Sequence, residues 1–308
     1  MKKFGLIGAA GYIAERHMKA IKETGNNLLW AADRFDVMGK IDSYFPEAEF
    51  YLQDDSSQNR IKANSTDFIS ICSPNYMHAS HIQFVLENSS NAICEKPLVI
   101  YPKELDDLKK VEEKTGKKVF TVLQLRYHPV ILALKKEIEN NPDKVYDIDL
   151  TYITSRGKWY FKSWKGDIEK SGGVATNIGI HFFDMLHWIF GKVQKNNVHV
   201  YEPHKAAGFL QLEKANVRWF LSLDCEDLPK NAKEKGLRTY RSINVAGKEI
   251  EFSGGFTDLH TVTYQNILDG NGFGIDDARE SIELTDKIRN AKLVEKKGEV
   301  HPFLIQKR

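Results

Sequence analysis

The feature that most constrains this chain is a glycine turn near its start. Gly8-Ala9-Ala10-Gly11-Tyr12-Ile13-Ala14 follows the apolar run Phe4–Ile7 and opens the amphipathic stretch Ile13–Glu23. A strand that passes through glycines directly into a helix is the opening of a βαβ unit. Glycine there also lets a dinucleotide pyrophosphate reach backbone N–H groups at the helix N-terminus, an approach a side chain would block. The spacing Gly-x-x-Gly-x-x-Ala departs from the usual Gly-x-Gly-x-x-Gly, and alone it fits an ordinary tight turn better. Asp33 shifts the balance. It closes the second apolar run, Leu28–Ala32, roughly 20 residues past the turn, where a carboxylate accepts hydrogen bonds from an adenosine ribose. The same charge repels a 2′-phosphate, so NAD is expected over NADP. Arg34 could bind that phosphate, but it reads more simply as a solvent-facing residue lying along the adenine.

The alternation continues. Phe50–Leu52, Phe68–Cys72, Ala92–Cys94 and Val119–Leu123 read as strands, with helical patterns at His78–Asn88 and Pro102–Thr115. Such a series predicts a parallel sheet covered by helices. Beyond Leu125 the composition changes. Runs rich in β-formers occur at Tyr146–Thr154, Val198–Tyr201, Phe209–Leu212, Val217–Asp224, Ser242–Ala246 and Glu249–Phe252, the last two separated by Gly247. They read as antiparallel strands of one broad sheet, accompanied by helices at Ile178–Phe190 and Asp276–Lys292. The expected fold is therefore α/β: an N-terminal Rossmann domain with a doubly wound parallel sheet over residues 1–124. A C-terminal α+β domain over 125–308 follows, with a broad, mostly antiparallel sheet for substrate binding and association. A length of 308 residues suits two domains.

Composition removes several classes. Lys+Arg 44 against Asp+Glu 42 leaves a charge of +2, which gives no field for nucleic acid. The Lys/Glu-rich stretches Lys103–Lys118 and Lys287–Lys297 read as solvated helix faces. Lys2-Lys3 before an apolar run imitates a signal peptide, but glycines interrupt it. No apolar run approaches the ~20 residues that cross a bilayer. Three cysteines cannot close a disulfide set, so a reducing, cytoplasmic setting is expected. His78-x-x-His81 and the pair His181/His187 lack the partners of a zinc site, and no metal is expected.

Two further segments carry a resemblance. Ser73-Pro74-Asn75-Tyr76-Met77-His78 follows the fourth strand, and Glu95-Lys96-Pro97 follows the fifth. With the glycine turn and Asn177-Ile178-Gly179-Ile180-His181-Phe182-Phe183-Asp184, the chain resembles the Gfo/Idh/MocA oxidoreductases over essentially its whole length. That resemblance implies an NAD site built from Gly8, Gly11, Tyr12, Ile13, Asp33, Arg34, Ser73, Pro74, Asn75, His78, Glu95 and Lys96. Leu125–Pro129, Ser155–Tyr160, Ser163–Asp167 and Gly272–Arg279 are similar to one branch, the UDP-N-acetyl-2-amino-2-deoxy-glucuronate 3-dehydrogenases of surface-polysaccharide biosynthesis. The branch implies NAD-dependent oxidation of a UDP-sugar acid at its C3 hydroxyl, before an aminotransferase makes the 3-amino sugar. It also implies, as in several members, reoxidation of a retained cofactor by 2-oxoglutarate. A homodimer or homotetramer is expected.

Alcohol oxidation needs a hydride acceptor and a group to take the hydroxyl proton. Lys96 lies at a strand C-terminus, where open sheets place their ligands. Its plainer reading is an exposed lysine paired with Glu95. His181 is the other candidate, since histidine as a residue type titrates near neutral pH; its plainer reading is a hydrogen-bonded core histidine. Many relatives carry a carboxylate where this chain has Asn177. An amide orients an imidazole but supplies no charge, so Lys96 is preferred as principal base. Arg126, Arg156 and Lys165 suit a diphosphate and a uronate. Tyr127, Trp159 and Trp164 could stack on uracil or sugar, or simply be core or interface. Two rivals stand beside this reading. One is another nucleotide sugar, a free sugar or an inositol as substrate; the other is a non-catalytic NAD-binding regulator.

Overall fold

The computed structural model describes residues 1–52, 66–245, 247–250 and 258–305. The chain forms two compact units, Met1–Gln124 with Thr257–Arg279 and Leu125–Phe256 with Glu280–Arg308.

In the first unit, β1 (Lys3–Ile7), β2 (Asn27–Asp33), β3 (Glu49–Leu52), β4 (Phe68–Ile71), β5 (Asn91–Cys94) and β6 (Val119–Thr121) form one sheet. Its order is β3-β2-β1-β4-β5-β6. Every pairing is parallel, the doubly wound arrangement expected. Strands buried on both faces need continuous apolar runs, and all four residues of β4 are buried. Gly5 serves packing inside β1: a Cβ there would lie 2.2 Å from the ring of Trp30. The first helix, α1 (Ala14–Glu23), buries His17, Met18, Ala20 and Ile21.

A single crossing near residue 125 was expected, with everything beyond it in the second domain. Instead, residues 257–279 belong to the first unit. The helix Leu259–Leu268 buries Tyr264 and Ile267 in the core formed by Phe4, Met18 and Phe68. The segment after it runs beside β6, where Thr121 N–H donates to Phe273 O at 2.9 Å. The physical reason is apolar: Tyr264 stacks on Phe4 at 5.8 Å between centroids, filling core space beside α1.

The second unit contains β7 (Tyr146–Thr154), β8 (Val193–Glu202), β9 (Lys205–Leu212), β10 (Ala215–Ser222), β11 (Thr239–Val245) and β12 (Lys248–Ile250). Their order is β12-β11-β7-β10-β9-β8. Four pairings are antiparallel. The central β7–β10 pair is parallel, so the sheet is mostly antiparallel, as expected. Helices Pro129–Glu139 and Ile180–Phe190 contribute Leu134, Ile138, Phe183 and Phe190 to a core shared with Trp219 of β10. The opposite side carries Phe220, against which His301 stacks at 5.5 Å. The expected strand ends at Ala246, 251 and 252 lie outside the described residues.

Candidate active site

The order of the first sheet reverses between β1 and β4, and ligands of open α/β sheets bind at such a switch point, beyond the strand C-termini. Gly8 stands there with φ +87°, and a Cβ on it would lie 2.6 Å from the backbone of Cys72 and Ser73. Glycine is therefore required twice, by conformation and by the approach of the chain leaving β4. Gly11 is nearly as tight, 3.1 Å from Cys72 O. Ile13 is half-buried at the start of α1, and Tyr12 is 85 % exposed.

Asp33 ends β2 and is buried. One carboxylate oxygen accepts the Ala10 N–H at 2.8 Å and the other the Phe35 N–H at 3.1 Å. The carboxylate thus ties the glycine turn to β2 and keeps two acceptor sites. Arg34 is exposed. Ser73 and Asn75 are buried, with Pro74 half-buried between them. Ser73 Oγ lies 2.9 Å from His81 Nδ1. His78 bridges the two motif turns: Nδ1 lies 2.7 Å from Pro97 O and Nε2 2.9 Å from Ser73 O. Burial pushes the His78 pKa down, although both carbonyls pull it up.

Glu95 was expected to face the dinucleotide, or to pair with the lysine side chain beside it. The structure turns its carboxylate inward. Oε1 accepts from His17 Nε2 at 3.0 Å and His260 Nε2 at 2.9 Å, while Oε2 accepts the Lys96 backbone N–H at 3.2 Å. Burial disfavours the anion, yet hydrogen bonds from the two imidazoles outweigh it and hold Glu95 well below the usual carboxylate range. Lys96 is half-buried at the end of β5. His17, His260 and Tyr264 were missed from the sequence. The available signals were a histidine on the apolar stripe of α1 and a His260/Tyr264 pair four residues apart.

In the second unit, a π-helical turn, Ala175–Gly179, runs into Ile180–Phe190. Irregular turns of this kind often mark functional sites. Gly179 allows the close approach, since a Cβ there would lie 2.6 Å from Leu221 of β10. Asn177 donates from Nδ2 to Tyr160 Oη at 2.5 Å. Burial raises the Tyr160 pKa, opposed by that hydrogen bond and by the nearby Arg156 charge. Arg156, Tyr160 and Asn177 are therefore brought together, a grouping in which Tyr160 was not singled out from the sequence. His181 is half-buried one turn beyond Asn177. The Lys165 ammonium lies 4.4 Å from the ring centre of Trp164 and 5.8 Å from that of Trp159, which is 56 % exposed.

Arg126 is placed differently from expectation. It is buried and grips Asp184 through two hydrogen bonds, Nε at 3.0 Å and a terminal nitrogen at 2.7 Å. A guanidinium so engaged commits two of its five N–H donors to the fold. Tyr127, next to it, is half-buried.

Two family models match the chain. One is the NAD-binding Rossmann fold of an oxidoreductase family, over residues 2–123; the other is its C-terminal alpha/beta domain, over 135–227. Among solved structures, the chain is similar to the WlbA (WbpB) dehydrogenase from Thermus thermophilus in complex with NAD and alpha-ketoglutarate. The TM-score is 0.95 and the identity 48 %, covering 98 % of this chain and 100 % of that one. A second complex of that dehydrogenase, with NAD and UDP-GlcNAcA, gives 0.93 at the same identity and coverage. Among curated proteins, inositol 2-dehydrogenase of Rhizobium meliloti is 28 % identical over 193 residues, 62 % of this chain. The chain spans 36 %, 55 % and 54 % of the length of the first curated relatives it matches. With both domain models matched in order, the chain belongs to the Gfo/Idh/MocA oxidoreductase family.

Proposed function

We propose that this protein oxidises the C3 hydroxyl of UDP-GlcNAcA to a ketone with NAD⁺. The observation that carries the reading is the 48 % identity, over 98 % of the chain, with a dehydrogenase crystallised with NAD and UDP-GlcNAcA. The first unit suits the cofactor: Gly8 and Gly11 leave room where side chains would intrude, and Asp33 keeps acceptor sites for a ribose. NAD⁺, when bound, supplies the hydride acceptor. Lys96 holds the substrate hydroxyl and accepts its proton at Nζ. Asn177, fixed by Tyr160, orients His181, which shares the hydrogen bond to the reacting oxygen. Arg156 and Lys165 supply cations for the diphosphate and uronate, and Trp159 offers a face for the base or sugar. Reoxidation by 2-oxoglutarate, a place in cytoplasmic 3-amino-sugar biosynthesis and a homo-oligomeric state complete the proposal.

Single-turnover reduction of NAD⁺ with UDP-GlcNAcA and with UDP-N-acetylglucosamine tests it, with 2-oxoglutarate added separately. The uronate should react much faster, because its carboxylate adds a charge-assisted contact with Arg156 or Lys165 that the neutral hydroxymethyl group cannot make. Comparable rates would remove the carboxylate pocket. Activity only on an unphosphorylated sugar or an inositol would move the protein to another branch.

A further inference from the structure

Beneath the Glu-Lys-Pro turn lies a buried chain of five polar side chains drawn from four parts of the first unit. Ser70 Oγ of β4 meets Tyr264 Oη at 2.5 Å, and Tyr264 Oη meets His17 Nδ1 at 2.6 Å. His17 and His260 then converge on one oxygen of Glu95, whose other oxygen holds the Lys96 N–H. Ser70, His17 and Tyr264 have no exposed surface; His260 is 2 % and Glu95 7 % exposed.

Donor and acceptor chemistry fixes the direction of the bonds to Glu95. An ionised Glu95 only accepts, so both Nε2 atoms carry protons. Burial lowers the His17 pKa; in the neutral imidazole this favours, Nδ1 is a lone pair that accepts from Tyr264, whose oxygen accepts from Ser70. One end of the chain stops at fully buried Ser70. At the other, Nδ1 of His260 has no hydrogen-bond partner among the described residues.

A metal is the competing use. The ligand atoms of His17, Glu95 and His260 lie within 4.8 Å of one another. Metal on both Nε2 atoms would move each proton to Nδ1, leaving a buried orphan donor on His260. Protons on Nε2 leave only an unfilled lone pair there, while Glu95 remains fully engaged.

We propose that His17, Glu95 and His260 are positioning residues for Lys96: the carboxylate, clamped from two helices, fixes the Lys96 peptide and so places its side-chain nitrogen, which as the neutral amine takes the hydroxyl proton and becomes the ammonium. This rests on the reading of Lys96 as the proton acceptor. The test compares His260→Leu, which removes the donor, with His260→Gln, which keeps one, in the NAD-bound enzyme. Amide exchange at Lys96 should quicken about tenfold in His260→Leu, the equivalent of one ordinary hydrogen bond. In His260→Gln it should remain close to wild type. Single-turnover hydride transfer should fall by about tenfold to 10²-fold in His260→Leu, as small misplacements cost, and His260→Gln should recover most of it. In a Lys96→Met background, His260→Leu should have almost no further effect, because the two changes act through one group. An unaltered Lys96 amide in His260→Leu would overturn the clamp, whatever the activity of the wild type. An equal loss of rate with and without Lys96 would overturn the positioning role, and stoichiometric zinc in the purified protein would replace the clamp by a metal site. A wild type that reduces no NAD⁺ with UDP-GlcNAcA, its Lys96 amide still clamped, would instead overturn the functional reading.

Discussion

In the proposed reaction, Lys96 and His181 divide the proton chemistry unequally. Lys96 stands at the end of β5 with its peptide held by Glu95, whereas His181 follows an amide, Asn177, that is engaged with Tyr160. Lys96→Met removes the ammonium and keeps much of the side-chain length, so NAD binding should survive. Its single-turnover hydride transfer at saturating substrate should fall ~10²–10⁴-fold, the usual cost of losing a proton-transfer group. His181→Asn should cost less. A dead His181→Asn beside a near-normal Lys96→Met would reverse the two roles. At this scale the sequence was informative where motif and geometry coincide. Gly8, Gly11 and Asp33 were legible because backbone conformation and ligand approach demand those residue types. The inward turn of Glu95 was not, because its partners His17 and His260 lie far away in the chain and obey no spacing rule.

Arg126 and Asp184 show how a buried pair joins elements of the second unit. The pair ties the short turn Gln124–Tyr127 to the helix Ile180–Phe190. Breaking a buried ion pair strands the remaining charge and costs about 3–5 kcal/mol. Arg126→Met should therefore lower unfolding stability in urea by that order. A variant of unchanged stability whose KM for the sugar nucleotide rises sharply would restore Arg126 as a substrate ligand. Among helices, Pro102–Thr115 was read to its observed bounds. Pro at its first position and Gly116 beyond its end, at φ +67°, punctuate it. The helix Leu259–Leu268 has no clear signal in the sequence. Its buried residues include His260, Thr263 and Tyr264, so the inward face carries polar groups and no apolar stripe appears. The parallel β7–β10 pair was equally hidden, since alternation fixes which face a residue takes and not the direction of its neighbour.

At the scale of the whole molecule, burial lowers the pKa of several histidines among the described residues, which ties stability to pH. Burial lowers His81 to about 4 and His301 to about 3, and His17 and His78 are lowered too. Between those values and the unfolded value near ~6.5, the unfolded chain binds more protons than the folded one. Stability is therefore fully present above that pH and is lost as pH falls through the window. Glu95, held low when folded, adds a further loss in stronger acid. Melting temperatures should decline steadily from pH 7 to 5; a flat profile would mean that these histidines protonate without unfolding. Among the described residues no helix is long and apolar enough to cross a membrane.

Oxidation at C3 is tested most directly by following the hydrogen itself. UDP-GlcNAcA carrying deuterium at C3 is incubated with the enzyme and NAD⁺ for one turnover, and the reduced cofactor is isolated for mass spectrometry. The expected result is NADH heavier by one deuterium, formed with a primary isotope effect that shrinks if product release rather than hydride transfer limits the turnover. Unlabelled NADH from the deuterated sugar would contradict oxidation at C3, and an absence of cofactor reduction would contradict the sugar acid as substrate.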